Sequence, residues 1–304
     1  MTFEVTILGS SSASPTYQRH PSAQIVNISE RFFLIDCGEG TQIQMERYKI
    51  KYHRINRIFI SHLHGDHFFG LMGLLSTMHL QGRTKELHLY SPKELKEIID
   101  IQLLYSQTKL RYEIIYHNLN ADKSEVIFED EQLTVETIIL NHRIPCTGFV
   151  FREKRKPRKL IKEQITKYEI PVSAFTSLKM GNDYTHESGN VYKNDVLTEP
   201  SKSARSYAYC SDTAYNESMF PQLKDVDLLY HESTFLHDML DRANETFHTT
   251  AKQAGITAKK TKVKRLLIGH FSARYKELDS LLNEAKTEFP NTDLALEGVK
   301  FIIE

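Results

Sequence analysis

The stretch Ser61-His62-Leu63-His64-Gly65-Asp66-His67 decides how this chain is read. It follows the apolar run Ile58-Phe59-Ile60, so it sits at the C-terminal end of a predicted strand. Three imidazoles and one carboxylate within residues 62–67 carry more polar atoms than a core tolerates without partners. Neutral imidazole and carboxylate are good ligands for zinc, and a loop that gathers them is a metal cradle. Glycine at 65 is expected to let the backbone turn sharply, so that 62 and 64 face one ion while 66 and 67 face another.

Around this loop, short β-rich runs recur at 3–8, 23–27, 32–36, 57–61, 133–140, 147–152, 206–211, 226–230, 264–269 and 299–303. Helical periodicity marks 92–105 and 274–288, with further helices expected at 40–48, 68–79 and 249–260. Ser91-Pro92 reads as a cap followed by proline at the first helical position of 92–105. Strands that first pair locally and then alternate with helices indicate an α/β protein with helix-covered sheets.

The chain has 304 residues, 40% hydrophobic and 26% charged, an ordinary globular balance that excludes wholesale disorder. No apolar run approaches the roughly 20 residues of a membrane helix, and the N-terminus lacks the regions of a signal peptide. Three cysteines without a CxxC pair build no disulfide framework, so a cytoplasmic setting is expected. The 39 basic and 39 acidic residues cancel, which excludes a uniformly basic nucleic-acid binder while allowing a local basic patch. Such a patch exists: residues 152–167 hold eight basic and two acidic residues, net +6, and the polar segment to about 199 breaks the strand–helix rhythm. Residues 152–199 are therefore read as an arm inserted into a single domain spanning 1–304. A charge run of this kind is also what a solvated loop looks like.

Read singly, several other polar residues have plain structural uses. His142 at a strand end is more often a structural histidine than a ligand, Asp212 suits an N-cap, and His270 a polar strand terminus. Asp36 is expected to close its strand and bond the backbone of the Gly38–Gly40 loop, ordering the site from behind. Company and order along the chain change the reading of the other three.

The HxHxDH pattern after a strand resembles the metallo-β-lactamase superfamily, which implies a four-layer αββα sandwich with metals at the sheet edges. Further segments resemble the ribonuclease Z family of tRNA 3′-processing endonucleases. These are Leu8-Gly9-Ser10, Pro15-Thr16, Arg19-His20-Pro21-Ser22-Ala23, Leu34 through Gln42, Asn141-His142-Arg143-Ile144-Pro145 with Gly148-Phe149, Cys210-Ser211-Asp212-Thr213, and Gly269 through Tyr275. His231-Glu232-Ser233-Thr234-Phe235 and His248-Thr249-Thr250-Ala251 match two sequences characteristic of the nuclease branch. The family usually has Asn where this chain has His20.

Counting ligands supports two zinc ions per chain: His62, His64 and His142 suffice for one, and Asp66, His67 and His270 for another. The resemblance implies that Asp212 bridges them. The expected activity is zinc-dependent removal of the 3′ trailer from precursor tRNA, leaving a 3′-hydroxyl on the tRNA and a 5′-phosphate on the trailer. Asp66 is the expected proton acceptor, and His248, oriented by Glu232, the expected donor to the departing oxygen. The basic arm, including Lys154, Arg155, Lys156, Arg158 and Lys159, is expected to contact tRNA phosphates. The family's usual homodimer, one subunit's arm serving the other's site, is expected here too. Two rival readings are a broad phosphodiesterase of small diesters and an RNA-binding protein that keeps zinc for structure alone. The water-activating ligand set speaks against the second rival and the basic arm against the first.

Overall fold

A computed structural model describes residues 2–16, 18–201 and 203–304. They divide into two compact units. The larger comprises residues up to Phe128, Val135–Phe151 and Arg205–Glu304, and the smaller comprises Glu129–Thr134 and Arg152–Ala204.

The larger unit is built on two seven-stranded sheets. In the first, strands run in the spatial order Lys300–Ile302, Phe3–Gly9, Ala23–Ile28, Arg31–Ile35, Ile55–Phe59, Leu87–Ser91 and Ile114–Asn118. The pairs up to Arg31–Ile35 are antiparallel, and those from Arg31–Ile35 onward are parallel. In the second, the order is Thr292–Leu294, Arg265–Gly269, Leu228–Glu232, Ser206–Cys210, Cys146–Glu153, Leu133–Leu140 and Val126–Glu129. The four strands from Ser206–Cys210 to Thr292–Leu294 are parallel.

Alternation along the strands makes four layers. Phe33 and Phe59 of the first sheet meet Phe149 and Phe151 of the second, with ring centroids 5.4–5.6 Å apart for the closest pairs. The intervening residues face outward: Leu34, Ile58 and Leu89 pack with Leu71, Leu74, Leu75, Leu95 and Ile99 of helices Leu71–Leu80 and Glu94–Tyr105. On the other side Ala208, Leu229, Leu266 and Ile268 pack with Ala254, Ala258, Leu281 and Ala285 of helices Ala251–Thr261 and Asp279–Glu288. The expected αββα sandwich is therefore present. Helix Ala251–Thr261 opens with a capping box between Thr250 and Gln253. Its Gly255 lets the two outer helices approach closely, since a Cβ there would lie 2.6 Å from the carbonyl oxygen of Ala285. No helix among the described residues is long and apolar enough to cross a membrane.

Helix starts shift by a few residues from expectation, and in two cases the cause is visible. The first begins at Glu94 because Ser91 belongs to the preceding strand, where it pairs with Asn118. The last begins at Asp279 rather than 274, because the Arg19 guanidinium takes the carbonyls of Ser272, Tyr275 and Lys276 and holds that segment as a turn.

The smaller unit has its own core of Ile170, Leu178 and Leu197, with Leu160, Ile165, Tyr168 and Phe175 packed against it. Short helices Lys162–Lys167, Phe175–Lys179 and Asn194–Leu197 and two-residue strand pairs surround that core. The Arg158 guanidinium ties it together, bonding Thr198 Oγ1 and Asp195 Oδ1, each at 2.6 Å.

Candidate metal centre

The polar residues singled out in the sequence come from loops that leave the C-terminal ends of strands. His62, His64, Asp66 and His67 follow Ile55–Phe59, His142 follows Leu133–Leu140, Asp212 follows Ser206–Cys210, and His270 follows Arg265–Gly269. Gly65 does not make the sharp turn expected of it. It is the first residue of helix Gly65–Phe68, its φ is not positive, and His64 at the N-cap is extended. The Phe69 ring lies over it: a Cβ at 65 would stand 2.2 Å from that ring as placed.

Two sets of ligand atoms converge. His62 Nε2 and His142 Nε2 each lie 3.1 Å from His64 Nδ1, and each 3.7 Å from Asp212 Oδ2. His67 Nε2 and His270 Nε2 each lie 3.2 Å from Asp212 Oδ1 and 3.4 Å from Asp66 Oδ2. Four ligands around a tetrahedral zinc at ordinary Zn–N and Zn–O distances are separated by about 3.3 Å, and both sets bracket that value. Asp212 belongs to both sets, offering a different oxygen to each.

The other nitrogen of four of the rings explains why their Nε2 atoms face inward. Ser61 Oγ donates to Asp36, so His62 Nδ1–H donates to Ser61 Oγ at 3.0 Å. His67 Nδ1–H donates to Asp36 Oδ2 at 2.7 Å, and His142 Nδ1–H to the Phe247 carbonyl at 3.1 Å. His270 Nδ1–H donates to Thr234 Oγ1 at 3.0 Å, whose own proton goes to Glu232 Oε2 at 2.6 Å. Each hydrogen bond leaves a bare Nε2 lone pair aimed at the site, the tautomer that metal ligation requires. His67 Nε2, fully buried, has no hydrogen-bond partner among the described residues. A buried acceptor without a partner is costly, and a cation relieves it.

Asp36 does order the site from behind, but not through the Gly38–Gly40 loop. Its carboxylate accepts from Ser61 N–H, Ser61 Oγ, His67 Nδ1 and the Tyr209 hydroxyl, while Gly38 N–H goes to Ser22. The left-handed φ of 53° at Asp36 turns the chain out of its strand so that the side chain points under the metal loop.

Electrostatics act in the same direction on three of the rings and on the carboxylates, and differently on His67. Burial first, then neighbouring imidazoles, hold His62 below the usual histidine range, and burial lowers His64 and His142. Burial acts to raise Asp66 and Asp212, but His67 and His270 outweigh it and hold both well below the usual carboxylate range. Three carboxylates, Asp212, Asp66 and Asp36, crowd His67 and raise it despite burial, which marks a place that asks for positive charge. Ionised carboxylates, lowered imidazoles at 62, 64 and 142, and a positive charge called for at His67 together fit a pair of cations.

His248 stands beside the ligands, its Nδ1 2.8 Å from Glu232 Oε1. Glu232 is buried and also accepts Thr213 N–H at 2.8 Å. Burial alone would lower His248, but the Glu232 carboxylate reverses this and raises it to about 9. His64, Asp66, His142, Asp212 and His248 all line one open cavity of 560 Å³. Asp66 Oδ2 additionally accepts Ala13 N–H at 2.8 Å.

The structure thus brings His62, His64, Asp66, His67, His142, Asp212, Glu232, His248 and His270 into one cluster, and His20 lies to one side with its Nδ1 2.9 Å from Glu297 Oε2. The sequence reading had no place for Tyr209, Glu297 or Gln44. Gln44 Nε2 bonds Glu297 Oε2 at 2.7 Å and the Leu8 carbonyl at 2.9 Å. Nothing local marks such distant supports. Thr234 and Ser61 lie within the motifs at 231–235 and 61–67.

Comparison with known proteins agrees with this geometry. The family described as Anti-Pycsar protein Apyc1 matches residues 3–156, which ends ahead of Asp212, Glu232, His248 and His270. The chain is 48% identical over 297 residues to a protein named Ribonuclease Z of Bacteroides fragilis, covering 98% of each. It is 50% identical over 302 residues to one of the same name in Phocaeicola vulgatus, covering 99% of this chain and 98% of the other. Among solved structures it is similar to human tRNase Z, short form, with a TM-score of 0.73 at 28% identity and 99% coverage of each chain. It also resembles a metallo-β-lactamase fold protein from Bacillus subtilis, with a TM-score of 0.70 at 18% identity, covering 99% of this chain and 100% of the other; at that identity the likeness is one of fold.

Proposed function

The chain belongs to the ribonuclease Z family, and from that premise we infer that it is a metal-dependent endoribonuclease that removes the 3′ trailer from precursor tRNA. The observation that carries the reading is the convergence of two ligand sets on Asp212 in the cavity that His248 also faces. We assign two Zn²⁺ per chain, one to His62, His64, His142 and Asp212 and one to Asp66, His67, His270 and Asp212, on the donor types and their spacing. When bound, such ions lower the pKa of a water and offset charge on the phosphate oxygens.

This chain's residues do the rest. Asp66, ionised at neutral pH and held by Ala13 N–H, accepts the proton of the attacking water. The water oxygen joins phosphorus and the P–O3′ bond breaks. His248, its Nδ1 bound to Glu232, delivers a proton from Nε2 to the leaving 3′-oxygen. A value raised to about 9 keeps that proton in place at neutral pH. The products are a tRNA with a 3′-hydroxyl and a trailer with a 5′-phosphate.

Residues 152–199, with net +6 over 152–167, are assigned as the tRNA-gripping arm, on their charge and on the family resemblance. The same resemblance supports a homodimer with arms exchanged, working in the cytoplasm with precursor tRNA. The test is direct. Purified protein is incubated with a trailer-bearing precursor and with a chromogenic small diester, with and without chelator. Chelator-sensitive cleavage at the trailer junction, strongly preferred over the small diester, is expected. Turnover of the small diester alone would sink the assignment.

A further inference from the structure

Phe69 is 67% exposed, yet it is not at the far surface: its ring lines the same cavity as Asp66 and His248. The chain leaves room for the ring there. Gly65, inside the metal loop, has an ordinary φ, and the space its missing Cβ leaves is taken by the Phe69 ring, with the Cδ2, Cε2 and Cζ atoms all within 2.6 Å of the absent carbon. Phe68 braces the ring edge-on, with centroids 5.0 Å apart. The ring is thus backed by the glycine on one side and open to the cavity on the other. Arg143, exposed on the same cavity, makes no ion pair among the described residues.

An exposed phenyl ring beside phosphodiester-cleaving groups has one evident use with a nucleic-acid substrate. A base presents a π-face whatever its identity, and stacking on an aromatic side chain positions it without reading sequence. We propose that Phe69 is a specificity-determining residue: its open face stacks on a nucleobase adjoining the scissile phosphate, so that the enzyme favours a polynucleotide over a phosphodiester without bases. This rests on the endoribonuclease reading above. Phe69 is outside both ligand sets and has no proton to give, so the effect is on substrate placement and not on metal loading.

The test is a cycle between enzyme and substrate, using the full-length, metal-loaded protein. Cleavage is measured for the wild type, F69L and F69W on an intact precursor tRNA and on precursors carrying an abasic analogue immediately 5′ or immediately 3′ of the cut. F69L should lower kcat/KM on the intact precursor by about 5- to 150-fold, the range that one base–aromatic stack supplies. F69W should restore it, and metal content should be unchanged in both. On one of the two abasic precursors the difference between wild type and F69L should vanish, because the base that the ring would hold is gone. An F69L loss of equal size on all three substrates, or no loss on the intact one, overturns the proposal. A wild type that leaves the intact precursor uncut overturns the activity reading itself and this inference with it, and is read before any variant.

Discussion

The larger and smaller units are stabilised in opposite ways. In the larger, the polar residues of the site sit at the ends of buried strands, and their hydrogen-bond partners come from far along the chain: Asp36 with Tyr209 across 173 positions, Asp66 with Ala13 across 53. In the smaller, the supporting interactions span short sequence separations. Its core centres on Ile170, Leu178 and Leu197, and it is clipped by ion pairs such as Arg158–Asp195 and Lys193–Asp183. Chemistry that depends on ligand spacing needs the first kind of support, since an error of a few tenths of an ångström spoils coordination. Binding through phosphate charge tolerates the second kind, because Coulomb attraction varies slowly with distance.

That contrast is testable at its strongest point first. Asp212→Ala takes a ligand from both sets at once. Elemental analysis should find less than one metal per chain, and cleavage should fall to background, well past the 10–100-fold that losing a ligand's hydrogen-bond partner costs. Retention of one full equivalent would mean that the carboxylate is not shared. His248→Ala should keep both metals and lose about 10²–10⁴-fold in cleavage of precursor tRNA, and lose less on a nitrophenyl ester, whose leaving group hardly needs protonation. Equal losses on both substrates would remove His248 from the acid role. Asp36→Asn leaves the ligands in place but weakens the support of His67 and Ser61; a drop of about 10–100-fold in metal affinity, measured by chelator competition, is expected.

The smaller unit should respond differently. The sequence groups Arg158 with its basic neighbours, but in the structure its guanidinium is spent on Thr198 and Asp195. Exchanging the exposed Arg155, Lys159 and Lys162 for Gln should raise KM for precursor tRNA with kcat nearly unchanged. It should also flatten the salt dependence of binding by about one unit of slope for each phosphate that is no longer neutralised. Arg158→Gln should instead loosen the unit, seen as loss of amide protection. The smallest effect concerns pH. The hydrogen bond from Lys193, then that from Asn194 N–H, holds the exposed Asp183 carboxyl below its usual value. A depressed folded pKa means the contribution is complete above the unfolded value of about 3.9 and is lost as pH falls through the folded one. Protection of the Asn194 amide should therefore decline below about pH 4 in the wild type, and already be weak at neutral pH in Asp183→Asn. An Asn194 amide equally protected across that range would show that the clip contributes nothing.

The fold class and the metal loop were legible in the chain for a physical reason: both depend on residue type at short spacing. Alternating apolar runs such as Leu133–Leu140 declare strands, and imidazoles and carboxylates at 62–67 declare a metal loop whatever surrounds them. Strand ends alone do not tell which distant polar residues join it: His142, Asp212 and His270 stand out through their place in motifs that resemble the ribonuclease Z family. What only the tertiary structure decided is where generic groups find their partners. Nothing near Asp36 says that it will hold Ser61, His67 and Tyr209 instead of its own loop. Nothing near 274 says that Arg19 will take three carbonyls and delay a helix. Gly65 looked like a turn residue and proved to be a seat for Phe69. Hydroxyls, guanidinium groups and missing side chains bond or accommodate many partners equally well, so their choice is made by packing over long sequence separations, and local pattern carries no record of it.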